Sequence, residues 1–278
     1  MTPRVHVAGG WDDSGSGAVV DLAPDQIHHL VTVLRRRTGD AVELFDGTGC
    51  AAIAILEPAE AVAGSKPDRA MTELQRATPG QVARTRPARA RIRSVLPAQP
   101  LPPLAIGLCQ GISSGERMDW TIEKAVEAGV GHIVPLQSMR ATPRLPADRI
   151  ERRLAHWGRI AVAACAQCGQ NRLPRLDPPL TPAEWLERED APRGPATLRL
   201  LLMPGAPSSL AASLSSDGAA PRTVWLASGP EAGFAPDEAQ LFVDQGFHVV
   251  GLGPRTLRTE TAALVAVAII QARWGDLQ

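Results

Sequence analysis

Two stretches near the end of the chain decide its fold. One is Thr223-Val224-Trp225-Leu226-Ala227-Ser228-Gly229-Pro230-Glu231-Ala232-Gly233-Phe234. The other is Phe247-His248-Val249-Val250-Gly251-Leu252-Gly253-Pro254-Arg255-Thr256-Leu257-Arg258-Thr259-Glu260-Thr261-Ala262. Each is a short apolar run, then a glycine-bearing loop, then a helix-like start. The repetition is expected to set two loops side by side at the carboxyl ends of neighbouring parallel strands. Open α/β sheets bind their ligands there. Glycine at a strand end allows positive φ and close backbone approach to a ligand. A plain turn, or a capped helix with a surface Arg–Glu pair, would read the same way in either loop taken alone.

Working outward, the second part of the chain alternates strands and helices. Strands are expected at Leu104–Leu108, Val130–Pro135, Leu198–Met203, Thr223–Ser228 and Phe247–Leu252. Helices are expected at Glu116–Ala128, Arg149–Cys168, after Pro236, and at Thr259–Trp274. Such alternation argues a parallel sheet flanked by helices. The strand end at Met203-Pro204-Gly205 is a third candidate ligand edge.

The first part reads differently. Ala18–Leu22, Ala41–Phe45, Cys50–Leu56 and Ala90–Leu96 have strand character, and Asp46-Gly47 is a turn signal. Asp25–Leu34 has helical spacing. Short strands with tight turns suggest a small β-barrel. Between Glu57 and Pro87 no period holds, and the stretch reads as an inserted flexible loop. Pro97–Pro103 reads as a linker between domains.

Bulk properties narrow the function classes. With 278 residues the chain has room for two domains. The expectation is a cytoplasmic protein, with no apolar run long enough for a membrane span and no signal-peptide pattern at the amino terminus. Cys50, Cys109, Cys165 and Cys168 do not form a disulfide framework. Cys165 and Cys168 fall inside a helical pattern and are read as packing, and no histidine spacing suggests a metal. The net charge is zero, yet Lys66 and Lys124 are the only lysines among 29 basic residues, so 27 are arginine. Arginine grips phosphate bidentately, although a coding bias would enrich it too. Arg35-Arg36-Arg37 and the run from Arg84 to Arg93 are local basic patches. Phosphate-loop, dinucleotide and nucleophile-elbow signatures are absent.

Taken in order, these segments resemble the bacterial ribosomal RNA methyltransferases that act on N3 of a uridine in the small subunit, within the SPOUT (trefoil-knotted) superfamily. The resemblance rests on His28-His29-Leu30, Val33-Leu34-Arg35, Gly39-Asp40 and Leu44-Phe45-Asp46-Gly47. It continues through Glu116-Arg117-Met118-Asp119, Lys124, Glu127-Ala128-Gly129-Val130, Ala163–Gly169 and Asn171-Arg172-Leu173-Pro174. It ends with Gly229-Pro230-Glu231, Leu252-Gly253 and Leu257-Arg258-Thr259-Glu260-Thr261. The chain departs from the family pattern at Ala232 (usually Gly), at Gln170 (often Arg) and at Met139-Arg140-Ala141 (often Glu-Arg-Cys).

The resemblance implies a PUA-like RNA-binding barrel over residues 1–98 and a SPOUT α/β trefoil-knot methyltransferase domain over 99–278. It implies a homodimer, and S-adenosylmethionine as cofactor without a metal. Cofactor binding falls to Leu202, Met203, Pro204, Ser228, Gly229, Pro230, Glu231, Gly233, Leu252, Gly253, Leu257 and Arg258. Arg258 is the candidate for stabilising charge on the target base, and Glu231 is a candidate base or cofactor-orienting group. The RNA of an assembled or partly assembled small subunit is expected at Arg4, His28, Arg35, Arg36, Arg117, Lys124 and Arg172. Two alternatives stay open: a PUA-like RNA-binding protein with an inactive knot, and a SPOUT enzyme for another base.

Overall fold

The computed structural model describes residues 2–9, 11, 16–59, 87–141, 145–188, 194–214 and 219–277. The chain divides into two compact units, Met1–Pro100 with Gly169–Arg172, and Leu101–Cys168 with Leu173–Gln278.

The first unit is a curled five-stranded sheet, a half-barrel. Its strands are β1 (Arg4–His6), β2 (Val19–Asp21), β3 (Ala41–Phe45), β4 (Ala51–Pro58) and β5 (Pro87–Val95), in the order β1-β3-β4-β5-β2. Period-two alternation buries Val42 and Leu44 of β3, Ala52, Ala54 and Leu56 of β4, and Ala90 and Ile92 of β5 in one core. Leu30 joins them from the helical segment α1 (Pro24–His28), which runs on as a π-helical turn, His29–Val33. Asp46 closes the β3–β4 hairpin, its carboxylate accepting from Thr48 N at 2.8 Å and Cys50 N at 3.1 Å. The expected insertion at Glu57–Pro87 lies outside the described residues from 60 to 86.

The second unit is a six-stranded parallel sheet with helices. Its elements in chain order are β6 (Ala105–Gly111), α2 (Glu116–Glu127), β7 (His132–Leu136), α3 (Ala147–Cys168), β8 (Arg175–Leu176), α4 (Pro182–Glu187), β9 (Thr197–Leu202), α5 (Leu210–Leu214), β10 (Thr223–Ser228), α6 (Pro236–Asp244), β11 (His248–Val250) and α7 (Thr259–Trp274). The sheet order is β11-β9-β10-β6-β7-β8. This is a doubly wound sheet with β9 and β10 exchanged, and the fold is the expected α/β class.

That order corrects one expectation. The two loop-bearing strands β10 and β11 are not neighbours, because β9 lies between them. The period of a strand does not encode which strand it pairs with, so the exchange left no local mark. Register then aligns the strand ends. Ser228 pairs with both Gln110 and Leu202, and Leu202 with Val250. Four consecutive strands therefore end level, at one carboxyl edge.

Helices α2 and α3 pack on each other, and Met118, Ile122, Trp157 and Cys165 on them are buried. Asp119 ties the pair, accepting from Trp157 Nε1 at 3.1 Å and lying 2.7 Å from His156 Nε2. Cys165 is buried, Cys168 is exposed, and neither thiol is in a disulfide. Among the described residues no cluster could hold a metal ion, and no helix is long and apolar enough to cross a membrane.

Candidate active site

The loop after β10 is anchored at both ends. Ser228 is buried at the strand end, and the Phe234 ring packs on Phe242 with centroids 5.1 Å apart. Between them Gly233 N donates to Pro230 O at 2.8 Å, closing a four-residue turn. The positive φ of +69° falls on Gly233, whereas Ala232 has a negative φ. A side chain at position 232 therefore costs the turn nothing. Gly229 and Gly111 are needed for space. A Cβ on Gly229 would lie 2.9 Å from Phe234 N, and one on Gly111, at the end of β6, would collide with Pro230 N.

The loop after β11 is held by the loop after β9. Met203 N donates to Val250 O at 3.0 Å, Gly251 N to Ser208 O at 2.9 Å, and Leu210 N to Gly251 O at 2.8 Å. Gly253 turns the chain with φ +97°. The loop ends at Thr259, buried at the start of α7, whose hydroxyl donates to Gly229 O and accepts from Gln110 Nε2 at 2.9 Å. One hydroxyl thus joins β6, the loop after β10 and the last helix.

These three loops wall a cavity of about 430 Å³. The volume falls within the range of small-molecule sites. Its lining residues are mostly glycine, proline and apolar, with Arg140, Glu231 and Arg255 as the charged residues among them. Every residue expected to bind a cofactor lines the cavity except Arg258. Arg258 stands at the cap of α7 between the lining residues Leu257 and Thr259, with its side chain exposed.

Glu231 is strongly engaged. Its Oε1 accepts from Ser114 N, Ser114 Oγ and Arg117 Nη1, each at 3.0 Å. Burial pushes its pKa up, but the hydrogen bonds from Ser114, from its own amide and from Arg117 outweigh this and hold it below the ordinary glutamate value. A carboxylate so held is a poor proton acceptor.

Arg140 and Glu238 went unnoticed in the sequence as site residues. Arg140 lines the cavity from the loop after β7, its Nη1 donating to Ala232 O at 3.4 Å and Phe234 O at 3.3 Å. Glu238 is buried, with one carboxylate oxygen on Ala235 N at 2.9 Å and the other on Met139 N at 2.7 Å. The first bond was foreseeable from the capping spacing Ala235-Pro236-x-Glu238. The second is a contact between distant segments, without a sequence signal.

The expected RNA contacts divide. Arg4 is spent within its own unit: Nε donates to Glu43 at 2.9 Å, Nη2 to Asn171 Oδ1, and the cation lies 4.8 Å from the centre of the Phe45 ring. Arg172 bonds Thr48 O and Gln99 O and lies where a Cβ on Gly49 would be. Both hold the half-barrel together. Lys124 pairs with Glu123 at 2.7 Å and Glu127 at 2.8 Å on its own helix. Arg117 is on Glu231. His28, at the end of α1, and Arg35 are exposed and Arg36 is half-buried, the two arginines lying just past the π-helical turn.

Comparison with known proteins agrees with this architecture. Residues 100–271 match the RNA methyltransferase domain family, and residues 22–61 match the RNA methyltransferase PUA domain. The chain is 31% identical over 269 residues to ribosomal RNA small subunit methyltransferase E of Mycobacterium bovis, covering 94% of this chain and 90% of that one. It is 32% identical over 184 residues to the protein of that name from Buchnera aphidicola, spanning 66% of the relative's length. The crystal structure of the Neisseria gonorrhoeae ribosomal RNA small subunit methyltransferase E, bound to S-adenosyl methionine, superposes with a TM-score of 0.79 at 32% identity over the full length of both chains.

Proposed function

The chain belongs to the ribosomal RNA small subunit methyltransferase E family, and we propose on that premise that it methylates N3 of a uridine in 16S ribosomal RNA with S-adenosylmethionine as donor. The observation that carries the reading is the cavity at the level carboxyl edge of β6, β9, β10 and β11, walled by three loops.

The lining fits that donor. Leu202, Leu252 and Leu257 offer apolar surface for a purine ring, the loop backbones offer hydrogen-bond donors and acceptors, and Glu231 supplies negative charge near an ammonium or sulfonium. The donor supplies a methyl group on sulfonium sulfur, which departs as a neutral thioether. Uridine N3 is protonated at neutral pH, so that proton must leave before the nitrogen attacks. Glu231 is already ionised and pinned by Ser114 and Arg117, so its role is to orient the loop and the cofactor. Arg258, at the rim, stabilises charge that develops on the base. The target base has to leave its stack to reach such a cavity.

The domain assignment is part of the proposal: residues 1–98 bind RNA and residues 99–278 carry the transfer. His28, Arg35 and Arg36 engage RNA phosphates in the small subunit. The active form is a cytoplasmic homodimer. Helix α7 supports this, being apolar around its circumference with Val265 exposed at 37%. Ala232, where the chain departs from the family pattern, has a negative φ, so that departure lends no weight to the inactive-knot alternative.

Calorimetric titration with S-adenosylmethionine, and mapping of the methylated nucleotide in small subunits from a strain lacking the enzyme, test the reading together. Binding in the low micromolar range and an N3-methyluridine restored by the protein are expected. A folded protein that binds no S-adenosylmethionine, or a mark on another base, overturns it.

A further inference from the structure

Of the charged residues on the cavity wall, Arg140 is the cation with a fixed position. Its loop is clamped by the buried Glu238, which accepts from Met139 N at 2.7 Å while its other oxygen holds the start of α6. Its own Nη1 rests on two carbonyls of the Gly229–Phe234 loop. Among the described residues its Nε and Nη2 have no partner, and no carboxylate neutralises it. Arg140 is exposed, as Arg255 and Arg258 are, but neither of those two has a side-chain partner among the described residues. A guanidinium held by neutral carbonyls keeps its whole charge for a ligand, and its remaining donors are pre-arranged to receive an oxygen.

We propose that Arg140 is a catalytic residue that binds a carbonyl oxygen of the target uracil and stabilises its anion. The proposal rests on the methyltransferase reading and adds to it the group that makes N3 reactive. The N3–H bond breaks and its proton passes to water. The negative charge left on the ring is shared by N3 and the two flanking oxygens. The N3 pair then forms the bond to the methyl carbon, and the pair of the broken C–S bond goes to sulfur. The positive sulfonium and neutral uridine become a neutral thioether, N3-methyluridine and a released proton. Because two oxygens flank N3, a second cation such as Arg258 has its own place on the other oxygen. Glu238 is the positioning residue that sets Arg140.

The competing source of oxyanion is the carboxylate of the cofactor itself, and the test separates the two. Small subunits lacking the mark are methylated by wild type and Arg140→Ala across pH, and affinity for S-adenosylhomocysteine, which keeps that carboxylate, is measured by calorimetry. If Arg140 stabilises the uracil anion, the variant loses about 10²-fold in kcat. The midpoint of its pH–rate curve moves to higher pH by about two units, one unit for each tenfold of stabilisation lost. Its affinity for S-adenosylhomocysteine stays within about threefold, too small a change to account for such a loss in rate. Subunits carrying 5-fluorouridine, whose N3 proton is more acidic, recover the variant more than the wild type. Arg140→Lys keeps a charge and recovers part of the rate. Should Arg140→Ala not fold, Arg140→Lys and Glu238→Gln give the same pH shift in smaller measure. A loosened affinity for S-adenosylhomocysteine with an unmoved pH curve assigns Arg140 to the cofactor carboxylate and overturns the proposal, as does an unchanged rate. A wild-type protein that does not methylate uridine at N3 overturns the underlying reading, and the proposal with it.

Discussion

Gln110 Nε2 donates to Thr259 Oγ1 across 2.9 Å, joining residues 149 positions apart. Thr259 passes the link on to Gly229 O. The strand end and two of the loops around the cavity are therefore cross-braced through one side-chain hydroxyl. Thr259→Val keeps the shape and removes the hydroxyl, taking a donor from the Gly229 carbonyl and leaving the Gln110 amide only its bond to Gly111 O, where Thr259 is only 8% exposed. A loss of about 1–3 kcal/mol in stability is expected, with weaker S-adenosylmethionine binding. Thermal melting and calorimetry check it. A variant as stable as wild type, with the same affinity, would show that the brace is dispensable.

Space and conformation make opposite predictions at two positions of the same site. Gly111→Ala drives a methyl into the Gly229–Pro230 peptide, and backbone has little room to yield. Lower stability and at least tenfold weaker cofactor binding are expected. Ala232→Gly restores the residue common in the family but answers no need of this turn. Its affinity should match wild type within about twofold, with a small stability loss from added chain entropy. A large gain in affinity from Ala232→Gly would refute this account of the turn.

The hydrogen bonds on Glu231 predict a pH dependence. Its folded pKa lies below the ordinary glutamate value. Between the two values the unfolded chain binds more protons than the folded one, so stability rises with pH there. The contribution is present above the ordinary value and lost as pH falls through the lowered one. Glu231→Gln keeps an acceptor for Ser114 but gives up the charge facing Arg117. Melting temperatures followed into acid should fall less steeply for the variant than for wild type. Parallel curves would mean that solvent screens the pair fully.

What was legible in the sequence was what repeats locally. Thr259–Trp274 and Thr223–Ser228 were placed to the residue, because a capped apolar helix and a buried β-run each have a period and clear ends. Strands β1 and β8, of three and two residues, were missed, being too short to show alternation. Helix α4 was missed although Thr181 and Glu184 form a capping box. The cavity loops were legible through glycine and proline. Arg140 was not, because its meaning comes from Glu238 and from two carbonyls on another segment. Nor did composition separate Arg4 and Arg172, which brace the half-barrel, from arginines that face solvent.

That last distinction gives a prediction about RNA. Arg35 is the non-glycine residue with positive φ, at +53°, among the described residues, and it follows the π-helical turn with an exposed side chain. A strained backbone holding an exposed cation is a pattern of binding surfaces. Its guanidinium has no partner among the described residues, whereas that of Arg4 has Glu43 and Asn171. Arg35→Ala should weaken binding to small-subunit RNA and reduce the slope of log affinity against log salt by about 0.7–0.9, the value for one lost phosphate contact. Melting should be unchanged or slightly improved. Arg4→Ala should do the reverse, lowering the melting temperature of its unit and leaving the salt slope alone. Filter binding across a salt series, with melting of both variants, decides the matter. An unaltered slope for Arg35→Ala would make it a solvated surface residue.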